Sequence, residues 1–212
     1  MHTFTQTAQI QSSNVRQALH DAKRDNLSWD DFVHRGLVRE NLLSMQENRC
    51  AYCERAVTAQ NGHIEHFRKR SPHIQYTFVW GNLFYSCMDK QTCGKWKDKH
   101  VKPSLDYYAK LLNPREDNIE KFLVFTAIGD VAVRDDCSEE DKERAAETIR
   151  VFHLNAPHLA RKRREILEGW KWLRAFPEQI DETLTGTEIK EFVTAIYHLV
   201  GRRVVPQSCT AT

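Results

Sequence analysis

The chain has 212 residues, of which 41% are hydrophobic and 28% charged, and its 31 basic residues nearly balance 29 acidic ones for a net charge of +2. This is the composition of an ordinary globular protein, long enough for one compact domain or a small domain with an appendage. No run of about 18 apolar residues is present, which excludes a membrane-spanning helix.

The charges are unevenly distributed along the chain. Residues 68–102 are strongly basic, whereas residues 135–147 are acidic. A basic face suits a polyanionic partner, although it is also typical of a solvated surface. The N-terminal stretch MHTFTQTAQIQSS lacks the basic-then-apolar pattern of a signal peptide. We therefore expect a cytoplasmic protein whose six cysteines stay reduced.

Residues 1–48 are predicted to form a helical segment. A short polar helix is predicted over residues 14–25, and apolar residues at helical spacing predict another from about residue 29 to residue 48, capped by Ser28. This second helix would lead directly into Cys50.

Residues 57–67 predict a β-hairpin, because Asn61-Gly62 suits a tight type I′ turn. Its second strand would place His63 and Glu65 on one face and His66 on the other, since strand side chains alternate. Glu65 and His66 could still serve one site if the strand ended there. Farther on, residues 82–88 predict a turn or short helix, and residues 94–100 predict a helix that stops before a proline.

The last part of the chain, residues 106–212, is predicted to contain a second β-hairpin and then helices. The hairpin would span residues 119–134 and turn at residues 128–130. The helices are predicted over residues 139–152, capped by Ser138, over residues 157–174, and over residues 186–200, where Thr185 and Glu188 form a capping box. We expect this region to pack with the preceding residues as one unit.

Two cysteine pairs predict a metal site. Cys50 and Cys53 are separated by two residues, and Cys87 and Cys93 by five. Four thiolates satisfy the tetrahedral coordination of Zn²⁺, and a site closed by four protein ligands is structural. The alternative is four cysteines that bind nothing, which is less common when both pairs flank the same predicted hairpin.

The cluster His63-Ile64-Glu65-His66 lies between these pairs and has several interpretations. Its order differs from the H-E-x-x-H motif of metalloproteases, and the two histidines are too close for a zinc finger. A zinc deaminase would use His63 with Cys87 and Cys93 as ligands and Glu65 as a proton shuttle, but it would leave the first cysteine pair unused.

Taken together, the motifs resemble those of the HNH nuclease family. The segments that carry the resemblance are Cys-x2-Cys at residue 50, IEHFRKRS at residue 64, WGNLFYSC at residue 80 and the second cysteine pair. With the later stretch LNAPHLARKRR they resemble, more narrowly, the HNH subunits called PtuB of Septu-type and retron-linked anti-phage systems. The resemblance implies an α+β fold. Its ββα-metal core, here residues 49–105, would contain a four-cysteine zinc knuckle and lie between mainly helical N- and C-terminal segments.

The resemblance also implies roles for individual residues. His66 would be the general base that activates water, Glu65 would hold a catalytic Mg²⁺ or Mn²⁺, and Asn82 would orient His66 or fix the loop. Flanking phosphates of a DNA or RNA substrate would be bound by basic side chains, namely Arg68, Arg70, Lys95 and Lys97. An ATPase partner and a place within a retron complex are implied as well.

The chain departs from the family pattern at Gly94, where the family has its final histidine. Asp98, one helical turn farther on, is the first candidate to replace it as a metal ligand, and His100 is the second. A rival interpretation of a different class follows from this departure, namely a zinc-stabilised module that binds nucleic acid or protein and has no catalytic activity.

Overall fold

The computed structural model describes residues 12–101 and 104–203. The chain begins with helix α1, Ser13–Arg24, whose first turn is capped by the Ser12 side chain. Helix α2, Arg35–Met45, starts later than predicted from Trp29. The reason is local, because the Ser28 hydroxyl accepts a hydrogen bond from Asp31 N at 3.2 Å and closes a turn instead of capping a helix.

Strand β1, Gly62–His66, pairs antiparallel with strand β2, Leu83–Cys87, so that His66 lies opposite Leu83. The predicted hairpin over residues 57–67 and the predicted turn or helix over residues 82–88 were therefore wrong. Asn61 does form a turn, but its side chain accepts from Thr58 N at 2.7 Å, just before β1 begins. The partner strand lies farther along the chain, and all five of its residues are buried.

Helix α3, Cys93–His100, follows β2 and packs against it, which gives the order strand, strand, helix. The segment between the two strands contains two short 3-10 helices, Ile74–Tyr76 and Trp80–Asn82. Helix α3 confirms the helix predicted over residues 94–100.

The remaining elements continue the α+β pattern. The predicted second hairpin is confirmed, and Ser138 caps the following helix as predicted, through an accepted hydrogen bond from Asp141 N. The elements are α4 Leu105–Ala109, β3 Leu123–Phe125, β4 Val131–Val133, α5 Glu139–Val151, α6 Pro157–Trp170, α7 Ile180–Gly186 and α8 Val193–Leu199. None of the helices in the described ranges is both long enough and apolar enough to cross a lipid bilayer.

The last predicted helix, over residues 186–200, was wrong in its first half. Thr185 lies inside α7, where its hydroxyl donates to Asp181 O at 2.9 Å, so it does not cap a following helix. Helix α8 begins only after Phe192, which has a left-handed φ of 53°. At this point the backbone is tied to the cysteine region, since Phe192 N donates to Glu54 O at 3.1 Å and Thr194 N donates to the Glu54 carboxylate at 2.9 Å.

Buried residues from all three predicted segments form one cluster. Tyr52, from the turn that carries the first cysteine pair, stacks on Phe152 at the end of α5, with ring centroids 4.0 Å apart. Phe67, directly after β1, also stacks on Phe152. The aromatic rings thus fix the β1–β2–α3 unit against the C-terminal helices.

Candidate active site

The four cysteines of the two predicted pairs come together in space. Their sulfur atoms lie within 4.8 Å of one another and all four residues are buried. Cys50 and Cys53 stand in the turn after α2, Cys87 ends β2 and Cys93 begins α3. This donor set fits the tetrahedral Zn²⁺ site that the spacing predicted. It also joins three parts of the chain, namely the turn after α2, the end of β2 and the start of α3.

The surroundings of the sulfur atoms suit a negatively charged cluster. Arg55 Nη2 lies 3.3 Å from Cys87 Sγ and 2.7 Å from Asp89 Oδ2. Burial alone would lower the pKa of Arg55, but the Cys53 and Cys87 thiolates raise it well above its usual value. A cation at this position offsets part of the charge that four thiolates around one Zn²⁺ would leave.

A cleft of about 800 Å³ lies beside the cysteine cluster. Its floor contains the end of β1, and Asp98 of α3 stands at its side. One wall comes from the end of α1 and the residues after it, and the other from the segment that follows β1. The charged and imidazole-bearing residues that line it are Lys23, His63, Glu65, His66, Lys69, Arg70, Lys95 and Asp98.

His66, the last residue of β1, is held in one orientation. Its Nε2 lies 3.0 Å from Thr77 O. A carbonyl oxygen only accepts, so Nε2 carries the proton and Nδ1 keeps its lone pair. The Trp29 ring meets the imidazole edge-on, with centroids 4.6 Å apart. Burial lowers the pKa of His66 to about 4, although Glu65 acts in the opposite direction. The imidazole is therefore neutral at physiological pH.

Glu65 is buried, and each of its carboxylate oxygens lies close to a nitrogen of another side chain. Oε1 pairs with Lys97 Nζ at 2.6 Å, and Oε2 lies 3.1 Å from His63 Nε2. Burial alone would raise the pKa of this carboxyl group, but the Lys97 ammonium and His63 outweigh burial and hold the pKa at about 2. Glu65 is thus ionised at neutral pH.

Lys97 does not line the cleft, although the sequence suggested it as a phosphate contact. Its side chain is 1% exposed, and its ammonium donates to His66 O at 2.6 Å and Phe67 O at 3.0 Å. It also lies 3.2 Å from Asp98 Oδ1. Burial would lower the pKa of Lys97, but Glu65 and Asp98 raise it overall. The side chain is a buried link between α3 and the end of β1.

The Lys97 ammonium also occupies space near the two predicted ligands of the catalytic ion. It lies between Glu65 and Asp98, in the space that a cation bridging these two carboxylates would need. Among the residues that the structure describes, the only group of three or more side chains placed to hold a metal is the cysteine cluster. In the structure the charge of Glu65 and Asp98 is countered by the Lys97 ammonium, and the shared divalent ion stays a prediction.

The second candidate ligand, His100, lies outside the residues that line the cleft. Its ring stacks on Trp96 with centroids 3.8 Å apart. Gly94, where the family has a histidine, lies directly against Glu65. A Cβ atom added at residue 94 would overlap the Glu65 carboxylate. A glycine is therefore the residue that leaves room for Glu65 to turn toward Lys97.

Asn82 is fully buried beneath the cleft and fixes its loop. Its side chain accepts from Arg68 N at 2.6 Å and donates to Arg68 O at 3.0 Å and Tyr76 O at 3.1 Å. Together with the bond from Phe67 N to Asn82 O, these contacts hold the first two residues after β1 against the 3-10 helix that precedes β2. Among the predicted phosphate contacts, Arg70 and Lys95 line the cleft, whereas the Arg68 guanidinium lies over the Tyr76 ring.

Sequence reasoning missed the contribution of the N-terminal segment to the cleft. Lys23, in the last turn of α1, lines the cleft, and the Trp29 ring contacts His66 edge-on. No sequence motif indicated that either residue lies near His66, because this proximity depends on how α1 packs against the rest of the protein. Lys69 was noted only as part of a basic run, yet it lines the cleft and its ammonium donates to Asp98 O at 2.7 Å.

Comparison with known proteins supports the class of protein that the motifs resemble, the HNH endonucleases. The chain is 24% identical over 163 residues to a protein of Vibrio cholerae serotype O1 biovar El Tor, and the match covers 73% of this chain and 75% of that protein. That relative is named "Retron Vc95 putative HNH endonuclease". No family model matches the chain.

Proposed function

We propose that the chain is a metal-dependent endonuclease of the HNH type that hydrolyses phosphodiester bonds in nucleic acid. The observation that supports this most is the state of His66, whose unprotonated Nδ1 belongs to a residue lining a cleft with a basic rim. A neutral imidazole can take a proton from water, and the basic side chains suit a polyanionic backbone.

Each of the following residues of the cleft would have a separate role in this reaction. Lys69, Arg70 and Lys95 would bind the phosphates that flank the scissile bond. His66 would take the proton of the attacking water at Nδ1, while its Nε2–H continues to donate to Thr77 O. Glu65 favours the imidazolium that forms, because its negative charge acts to raise the pKa of His66. Asn82 and Lys97 would keep the end of β1 in place during the reaction.

We further propose that the protein serves in antiviral defence together with an ATPase partner. This proposal rests on the resemblance to PtuB subunits and on the retron in the name of the Vibrio cholerae relative. A nuclease in a cell needs restraint, and a partner that controls access to the cleft would supply it. The mainly helical C-terminal region is the surface we assign to that partner.

The test compares wild type with His66→Ala, each alone and with an ATPase encoded beside its gene. Plasmid DNA and total tRNA are offered separately, with Mg²⁺, Mn²⁺ or EDTA. Metal-dependent cleavage that disappears in His66→Ala supports the nuclease and identifies its substrate. The matched control is His20→Ala, since the His20 side chain is exposed and lies outside the residues that line the cleft. Equal loss in both variants would argue against His66 as the base.

One observation favours a second function, a catalytically inactive module that binds nucleic acid or protein. The Lys97 ammonium lies between Glu65 and Asp98, where a catalytic cation was expected. A zinc-loaded protein that binds both nucleic acids, cuts neither with any of these ions, and binds equally well as His66→Ala would support this function. The deaminase interpretation has no such support, because its site would combine His63 with two cysteines, whereas the four cysteines form a group without it.

A further inference from the structure

Lys97 places a fixed positive charge on one side of Glu65. Its three shortest contacts are with His66 O, Phe67 O and Glu65 Oε1. Two of its N–H groups donate to the carbonyl oxygens, and the contact with Glu65 Oε1 is an ion pair whose geometry is not that of a hydrogen bond. With no exposed surface to leave through, the ammonium keeps Oε1 occupied. Only the other carboxylate oxygen, Oε2, is left for a ligand in the cleft.

That second oxygen already has a nitrogen beside it. His63 Nε2 lies 3.1 Å from Glu65 Oε2, and both residues line the cleft. The two side chains meet because residues 63 and 65 lie on the same face of β1. Two ligands of one cation, bonded at about 2.1 Å and at right angles, are separated by about 3 Å. The His63–Glu65 separation therefore matches that of neighbouring ligands, as well as that of a hydrogen bond.

We propose that the divalent ion of the cleft binds at His63 Nε2 and Glu65 Oε2, and not between Glu65 and Asp98. This inference rests on the proposed nuclease function and assigns the metal site within it. Two protein ligands are enough when water and phosphate oxygens of the substrate complete the coordination shell. In this arrangement Gly94 needs no replacement ligand from α3, since His63 supplies the imidazole from β1.

The ligand types define which ions the site prefers. An imidazole nitrogen suits Mn²⁺, Co²⁺, Ni²⁺ and Zn²⁺, whereas a pair of carboxylates suits Mg²⁺. The His63–Glu65 site should therefore bind Mn²⁺ more tightly than Mg²⁺. A site made by Glu65 and Asp98 would show a weaker preference of this kind, because it would contain only oxygen ligands.

The experiment measures Mn²⁺ binding by the full chain, with no substrate present. Protein with one zinc per chain is titrated with Mn²⁺, and free Mn²⁺ is read from its paramagnetic resonance signal. Wild type is expected to bind one Mn²⁺ beyond the zinc. His63→Ala and Glu65→Gln should weaken this binding by about tenfold or more. Asp98→Asn and His100→Ala, as matched controls, should bind as wild type does.

A second variant keeps the test valid if His63→Ala alters the fold. His63→Asp replaces the nitrogen ligand with an oxygen ligand at the same position in the strand. It should retain a divalent site whose preference is shifted from Mn²⁺ toward Mg²⁺. Zinc content and circular dichroism, measured on every variant, show whether the cysteine cluster and the fold are intact. An unchanged preference in His63→Asp would overturn the assignment.

Two other outcomes would also overturn the assignment of the divalent ion to His63 and Glu65. Loss of Mn²⁺ binding in Asp98→Asn, with His63→Ala unaffected, would return the site to Glu65 and Asp98. No binding by wild type beyond zinc would mean that His63 and Glu65 form only a hydrogen bond. Failure of the nuclease function alone would give a different pattern. Wild type would bind Mn²⁺ and His63→Ala would not, but wild type would cleave no nucleic acid.

Discussion

Gly94 and the Glu65 carboxylate lie so close together that residue 94 has no room for a side chain. The family resemblance places a histidine at this position, and such a side chain could be accommodated only if Glu65 moved away from Lys97. The identity of residue 94 and the orientation of Glu65 are therefore linked. The departure from the family pattern is a consequence of how Glu65 is bound.

Gly94→Ala is the smallest change that tests this link. The added Cβ would displace the Glu65 carboxylate, so we expect lower stability and weaker Mn²⁺ binding. Alanine favours a helix over glycine by up to about 1 kcal/mol, which acts in the opposite direction. Gly169→Ala in α6 is the matched control, because nothing lies within 4 Å of a Cβ there, and it should be neutral or stabilising. Thermal unfolding of both variants checks the prediction, and equal shifts would contradict it.

Lys97→Met should destabilise the protein by about 3–5 kcal/mol, because it leaves the buried Glu65 carboxylate without its ammonium partner. Lys99→Met, an exposed lysine of the same helix, should change stability by no more than about 0.5 kcal/mol. Urea unfolding provides the measurement.

The double variant Lys97→Met/Glu65→Gln distinguishes lost charge pairing from lost packing. Removal of the negative charge as well should restore part of the stability lost in Lys97→Met. If the double variant is no more stable than Lys97→Met, the pairing with Glu65 is not what makes Lys97 important.

Cys50→Ser should release the metal and unfold the region around it. Structural zinc contributes on the order of 10 kcal/mol to the folding of small sites, and this cluster joins three elements. Zinc content and far-ultraviolet circular dichroism measure the effect. Cys137→Ser is the control, because Cys137 lies outside the cluster and its sulfur contacts Lys121 O. A Cys50→Ser protein that retained one zinc and the wild-type melting temperature would contradict the assignment.

His198 should make the protein less stable at mildly acidic pH. Burial lowers its pKa, although Glu54 acts in the opposite direction, and Phe125 N donates to its unprotonated Nδ1 at 3.2 Å. Above a pH of about 6.5 both folded and unfolded states hold the neutral ring, so His198 has no effect. Below this value the unfolded state takes up a proton that the folded state resists, and the free energy of unfolding falls.

His198→Asn keeps an acceptor for Phe125 N but does not titrate. The variant should therefore lose less stability than wild type between about pH 7 and pH 5.5. Urea unfolding across this range, with zinc content checked at each pH, gives the comparison. Parallel curves for the two proteins would show that His198 does not contribute to the pH dependence.

Local signals in the sequence predicted the parts of the structure that depend on neighbouring residues. The cysteine spacing predicted a cluster, and Ser138 predicted the start of α5. Long-range pairing was harder to predict, because Asn61-Gly62 suggested a hairpin with the preceding residues while β1 pairs with β2. Lys97 was misjudged for a physical reason. Lysines are usually solvated, and only the fold reveals that four oxygen atoms surround this one.

Glu54 directly follows a cysteine of the cluster and receives two hydrogen bonds from the start of α8, through Phe192 N and Thr194 N. This connection should limit which C-terminal regions can be joined to the cysteine region during evolution. A recombination event that joined residues 49–105 to a foreign C-terminal region would remove Thr194 N from the buried Glu54 carboxylate and Phe192 N from the Glu54 carbonyl oxygen. The β1–β2–α3 unit and helix α8 should therefore be inherited together, and new combinations should arise by changes at the surface.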